Sequence, residues 1–203
     1  MMTEPVRRLG LSIALVALAS GASATAPVPR TSQDFAIVEP TGGQTLLSRW
    51  KGKVVVLEFV LVDCPHCARV SQLLAKLHKE LGPRGFQPVG VAFDNGISGK
   101  KATDFALRVG ATYPIGYSTA AAVDSYLGRT AAERVMVPQI VVIDRKGTIR
   151  AQSRPVRESA LEDESHLRDL IETLLKESAG ATTRERPALS PSREPALVMD
   201  PDR

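Results

Sequence analysis

Cys64 and Cys67 are the only cysteines among the 203 residues of the chain, and they enclose the dipeptide Pro65-His66. A disulfide stabilises a fold mainly through the loop it closes, and this loop is too short for stapling to be its purpose. The spacing suits reversible thiol-disulfide exchange, with metal binding and a pair of inert buried thiols as alternatives. Zinc asks for four ligands, and neither His78 nor His166 stands at a ligand spacing or beside a second cysteine pair. Protonated, His66 would place a positive charge near Cys64, favouring the thiolate and making the disulfide a stronger oxidant. Asp63 acts in the opposite sense, because a carboxylate repels a thiolate. A plain surface role for His66 is the competing reading.

The flanking segments must place these groups. Val54 to Val60 is a β-branched apolar run that predicts a strand buried on both faces. Past the cysteines, Val70, Leu73, Leu74, Leu77 and Leu81 recur at helical spacing, with Ser71, Gln72, Lys76, Lys79 and Glu80 assigned to the opposite, solvent face. Strand, cysteine pair and helix in that order put Cys64 at the helix start, where free N–H groups and the dipole favour an anion. Pro65 fits the first turn, where its missing N–H costs nothing. Cys64 is thus the expected nucleophile and Cys67 the buried resolving thiol. Glu58 interrupts the apolar strand. Buried there, its carboxyl would be pushed toward neutrality; the alternative is a side chain turned to solvent or to Lys53.

Lys51-Gly52-Lys53-Val54-Val55-Val56, the Cys64-Pro65-His66-Cys67 motif, and Val137-Pro138 leading into Val141-Val142-Ile143-Asp144-Arg145-Lys146-Gly147 carry a resemblance. From about Asp34 to Lys176 the chain resembles the thioredoxin superfamily, in particular its secreted TlpA-like thiol-disulfide oxidoreductases. It departs from them in Asp63, where those proteins usually carry Trp, and in His66, which is more like the DsbA-type oxidants. The resemblance implies a thioredoxin-like α/β fold, a central mixed sheet with helices on both faces. It also implies a proton-shuttling role for Glu58 beneath the resolving cysteine and a cis bond at Pro138 facing the thiols. The backbone at Val137 would then pair with an extended substrate. No bound cofactor is implied. The expected partners are protein thiols and disulfides and a second redox protein, soluble or membrane-held, that recharges the pair. Between Gly128 and Met136 a few residues look inserted relative to that pattern, and Arg129, Glu133 and Arg134 are candidates for lining the approach to Cys64; a solvated loop is the alternative. A peroxiredoxin-like peroxidase is disfavoured by Leu61, which stands where that group has Thr. A copper(I) metallochaperone is the non-enzymatic alternative, since thiolates suit a soft ion.

The remaining chain supports one domain. Arg7 and Arg8 precede the uncharged apolar stretch Leu9 to Ala19, and Ala22-Ser23-Ala24 and Ala24-Thr25-Ala26 offer small-residue cleavage sites, so residues 1–26 read as a secretory signal peptide. An uncleaved anchor is the rival reading. Export implies a periplasmic or otherwise extracytoplasmic, oxidising location. Pro27 to Gln33 reads as a flexible lead-in, Asp34 to Val38 as a short strand, and Leu46 to Trp50 as a half-buried segment with Trp50 in packing. Gly82 is the expected stop of the first helix, followed by a strand over Phe86 to Phe93, a helix over Ser98 to Val109, a short strand over Tyr113 to Tyr117 and a small helix over Ala120 to Leu127. Ile140 to Ile143 and Thr148 to Gln152 form a hairpin, and Glu162 to Lys176 the closing helix. This alternation by itself argues for an α/β sheet covered on both faces. The domain is expected over residues 27–177, with a disordered tail over 178–203, rich in Ala, Thr, Arg, Pro and Ser. A net charge of only +4, with basic and acidic residues interleaved, does not suggest nucleic acid.

Overall fold

The computed structural model describes residues 26–130, 135–154 and 159–181, with side chains through Glu177. The segments 1–25, 131–134, 155–158 and 182–203 fall outside it, and with them the expected signal peptide, Glu133, Arg134 and most of the expected tail.

Eight strands form one mixed sheet: β1 (Arg30–Thr31), β2 (Ala36–Val38), β3 (Gln44–Leu46), β4 (Val54–Val60), β5 (Phe86–Ala92), β6 (Ile115–Tyr117), β7 (Gln139–Ile143) and β8 (Thr148–Gln152). Their spatial order is β1-β8-β7-β4-β5-β6-β2-β3. β4, β5 and β6 run parallel, each joined to the next by a helical crossover, while β7 lies antiparallel on the other side of β4. Every residue of β4, β5 and β7 is buried, which is why β4 reads as a continuous apolar run.

Successive residues of a strand point to opposite faces. Val54, Val56 and Val60 of β4 therefore pack with α1 (Pro65–Leu81), α2 (Gly99–Arg108) and α4 (Glu164–Ala181), while Val55, Leu57 and Phe59 pack against α3 (Ala120–Leu127) and the amino-terminal strands. The second face is closed by edge-on rings, Phe35 to Phe59 at 5.5 Å and Phe35 to Tyr126 at 5.2 Å, with Trp50 buried beside them. Parity puts Glu58 on the α1 face.

Four expectations need correction or refinement. The lead-in is not free of structure: Arg30 and Thr31 pair with Ile149 and Thr148 as the sheet's edge strand. α1 ends at Leu81 with Gly82 as its C-cap, where the stop was expected, but Gly82 is right-handed rather than left-handed. The chain tightens into a 3-10 turn over Gly82–Arg84, where Pro83 is acceptable, and the left-handed position is Gly85 at φ 102°. Ser71, placed on the solvent face of α1 by the sequence pattern, is fully buried. The closing helix begins at Glu164 rather than Glu162, after a separate 3-10 turn over Ala160–Glu162, and runs to Ala181, past the point where the tail was expected.

Candidate active site

Cys64 is the N-cap of α1. Its φ of −85° and ψ of 114° leave it extended, and its sulfur accepts the backbone N–H of Cys67 at 3.1 Å, as a Ser or Asp oxygen does in this position. The sequence between them is suited to this: Pro65 needs no partner for its nitrogen, so the helix starts at once and its N-terminal end, with its free N–H groups, lies at the sulfur. Cys64 is half-buried, Cys67 fully buried, and the two are not bonded to each other. Burial pushes the Cys67 thiol far above its ordinary range, and its contact with the Cys64 sulfur adds to the effect. One sulfur at a helix terminus and within reach of solvent, beside another that is shielded and protonated, is the division that an attacking and a resolving thiol require.

The loop before β7 closes over this pair. The Val137 carbonyl lies 4.0 Å from the Cys64 sulfur, and the Val137–Pro138 bond is cis, as expected for the segment that faces the thiols. From the other side the short connection between β4 and α1 is gripped at one residue, Val62. Both carboxylate oxygens of Asp94 accept the Val62 N–H at 3.1 Å, and the Arg108 guanidinium donates to the Val62 carbonyl. The approach of the chain to Cys64 is thereby held on both sides of Val62.

Glu58 lies beneath, fully buried. The Ser71 hydroxyl lies 3.0 Å from Oε1 and 3.1 Å from Oε2, and the Tyr113 hydroxyl 2.6 Å from Oε1. Desolvation dominates these hydrogen bonds and raises the Glu58 pKa to about 7. The alternative partner, Lys53, is engaged by Gln87 at 3.0 Å. Room for the carboxylate comes from Gly90, the partner of Glu58 on β5: a Cβ there would sit 3.3 Å from Oε1 and 2.9 Å from Ile115 Cγ1. The sheet has set a glycine where two side chains need the space.

His66, 34% exposed, is held by Glu162, 13% exposed, with Nε2 to Oε2 at 2.6 Å. The other Glu162 oxygen accepts the Ser159 N–H in a capping box. The Arg129 side chain is 7% exposed and pairs with Asp124 at 2.6 Å, tying the end of α3 to the loop that follows. Arg134 lies outside the described residues. Among the described residues, no group of three His, Cys, Asp or Glu side chains could hold a metal ion, and no helix is long and apolar enough to cross a membrane.

Five residues of this site were not identified in the sequence: Ser71, Tyr113, Glu162, Asp94 and Arg108. Only Ser71 had a usable local signal, since it follows Cys67 by one helical turn and falls between Val70 and Leu74 on the same face.

Comparisons with known proteins agree with this geometry. The chain is similar in structure to a proposed protein disulfide isomerase from Bacteroides thetaiotaomicron, at 29% identity and a TM-score of 0.61, over 77% of this chain and 94% of that one. It is similar in fold to a thioredoxin-family thiol:disulfide interchange protein from Chlorobium tepidum TLS, at 20% identity and a TM-score of 0.60, over 74% and 99%. The thioredoxin domain of a thiol-disulfide oxidoreductase from Bacteroides vulgatus shares the fold at 18% identity and a TM-score of 0.58, over 72% and 96%. A search of the curated proteins finds no match. The Redoxin family matches residues 24–171, the whole span that carries the sheet and both cysteines, and the chain belongs to that family, within the thioredoxin superfamily.

Proposed function

We propose that the chain is an exported thiol-disulfide oxidoreductase that works with protein substrates, Cys64 as nucleophile and Cys67 as resolving thiol. The observation that carries this reading is the pairing of a half-exposed sulfur at the N-cap of α1 with a buried thiol one turn further on, above a buried carboxyl.

In the reducing direction, the Cys64 thiolate attacks a substrate disulfide and forms a mixed disulfide, releasing one substrate thiolate. Cys67 then attacks the Cys64 sulfur; its S–H bond breaks, the proton passes to Glu58, and the electron pair of the mixed disulfide leaves on the second substrate sulfur. The helix terminus and the Cys67 N–H stabilise Cys64 when it bears charge. Val137, beside the Cys64 sulfur, offers backbone groups with which an extended substrate can pair. His66 would make the couple strongly oxidising if its charge were unopposed, but the Glu162 carboxylate lies against it. This favours the reductant over the DsbA-like oxidant. A separate redox protein returns electrons to the pair, and export rests on the amino-terminal pattern of Arg7, Arg8 and the apolar run after them.

The test is an equilibrium titration of the Cys64–Cys67 couple against dithiothreitol or glutathione. A reductant gives a potential nearer about −270 mV than about −120 mV. In parallel, Cys67→Ser should hold substrate as a stable mixed disulfide on Cys64, and Cys64→Ser should form none. Absence of a measurable couple would overturn the assignment.

A further inference from the structure

Tyr113 has no part in the exchange as just described, yet its hydroxyl makes the shortest contact to the buried carboxyl. It lies 2.6 Å from Glu58 Oε1 and, on its other side, 3.1 Å from the backbone carbonyl of Ser71. A phenol has one hydrogen to donate and lone pairs to accept. With two acceptors in reach it can donate to only one at a time, and the choice depends on Glu58.

When Glu58 is ionised, the Tyr113 hydrogen points to Oε1, while the Ser71 hydroxyl, nearly equidistant from both oxygens, supplies the second donor. When Glu58 carries a proton on Oε1, that proton is donated to the Tyr113 oxygen, and the Tyr113 hydrogen turns to the Ser71 carbonyl. Both protonation states are then hydrogen-bonded without movement of any heavy atom. A buried polar group that loses its partner on changing charge costs about 1–3 kcal/mol, so a cage that serves only one state would fix Glu58 in it. This one serves both.

We propose that Tyr113 is the positioning residue that makes Glu58 a reversible proton store, by switching its hydroxyl hydrogen between Glu58 and the Ser71 carbonyl as Cys67 gives up or regains its proton. The proposal rests on the exchange mechanism above. The titratable groups that face Glu58 among the described residues are Cys67 on α1 and Tyr113 itself. Behind the tyrosine stands His78, ring centroid at 6.2 Å, whose pKa burial lowers. Desolvation and the neighbouring Glu58 charge push the Tyr113 pKa upward, so the phenol keeps its hydrogen and relays direction, not net charge. The bookkeeping balances: the Cys67 S–H bond breaks, an O–H bond forms at Glu58, and Tyr113 ends with the same number of hydrogens.

The experiment mixes reduced protein with 5,5′-dithiobis(2-nitrobenzoate) and follows both releases of the coloured thiolate over pH. The first release reports Cys64; the second reports attack by Cys67 on the mixed disulfide. In the parent protein the second rate should rise through the Glu58 pKa. In Tyr113→Phe, which removes one charge-assisted hydrogen bond from the ionised form, that rise should move up by about one pH unit, slowing the step about fivefold at the parent midpoint. In Glu58→Gln the rise should disappear. A parent-like midpoint in Tyr113→Phe, with the rise lost in Glu58→Gln, overturns the proposal and leaves the exchange reading intact. Absence of a second release in the parent overturns the exchange reading itself. An equilibrium measurement guards against a merely slowed enzyme: the infrared carbonyl band of protonated Glu58, identified by its loss in Glu58→Gln, should titrate at higher pH in Tyr113→Phe. An unmoved band also overturns the proposal.

Discussion

The two halves of the site around α1 are built on opposite principles. The inner half, Glu58, Ser71, Tyr113 and Cys67, is sealed: all four are buried, and among the described residues no full countercharge faces the carboxyl. The outer half, Cys64, His66, Glu162 and Val137, is half-open, and its polar contact is an ion pair whenever His66 carries its proton. Low dielectric lets the inner half hold a proton at neutral pH by desolvation alone. Solvent in the outer half lets charge be adjusted by pairing instead. Proton handling and redox poise are thus separate, and a substitution in one half should leave the signature of the other.

The largest expected effect tests the sealed half. Glu58 ionises near 4.5 in the unfolded chain and at about 7 in the folded one. Between those values the folded state binds more protons than the unfolded state, so stability falls as pH rises. The favourable contribution is complete below the unfolded pKa and has gone above the folded one, a loss of about 3 kcal/mol. Chemical denaturation of the parent at pH 4.5 and pH 8 should show this fall, and Glu58→Gln should flatten it while leaving the reduction potential at acidic pH close to the parent value. Equal pH slopes in the two proteins would mean that the inner half is not sealed.

A middle-sized effect belongs to the open half. Removing the charge in Glu162→Gln leaves the positive end of His66 unopposed, so the reduced couple gains stability and the potential rises. Where His66 is protonated, a rise of about 30 mV corresponds to about 1.4 kcal/mol. Glutathione titration at mildly acidic pH is the measurement, with denaturation of the same variant showing the parental pH slope. An unchanged potential would remove Glu162 from the redox machinery and leave it a cap for the 3-10 turn.

How much of this could be read in the sequence follows from chain distance. The strand, the N-cap sulfur and the resolving thiol lie within one continuous segment, where apolar runs, Pro65 and helical spacing are local signals. Glu58 stood out because it breaks an apolar strand, and the family resemblance supplied its role. Tyr113, Glu162 and Asp94 come from segments that approach only once the sheet has formed, and nothing near them in the chain marks them. Ser71 was lost for another reason: a small hydroxyl in an amphipathic helix looks like solvent face unless a buried acceptor is known to need it. Arg30 and Thr31 form a strand too short to have a period. Arg129, read as a candidate for lining the approach to Cys64, has its side chain paired with Asp124.

The smallest effect concerns the frame shared by both halves. Asp94 accepts the Val62 N–H with both carboxylate oxygens, and Arg108 donates to the carbonyl of the same residue, so the two peptides flanking Val62 set how β4 delivers the chain to Cys64. Asp94→Asn keeps one acceptor oxygen and the size of the side chain while weakening a charge-assisted bond. That costs about 1 kcal/mol of positional restraint, roughly a fivefold change at most in how often Cys64 is correctly aimed. The first thiolate release from 5,5′-dithiobis(2-nitrobenzoate) should slow by a factor of that order, with neither the midpoint of the second release nor the reduction potential displaced. A shift in the midpoint or the potential would show that the frame couples the sealed half to the open one, and the separation between proton handling and redox poise would then have to be abandoned.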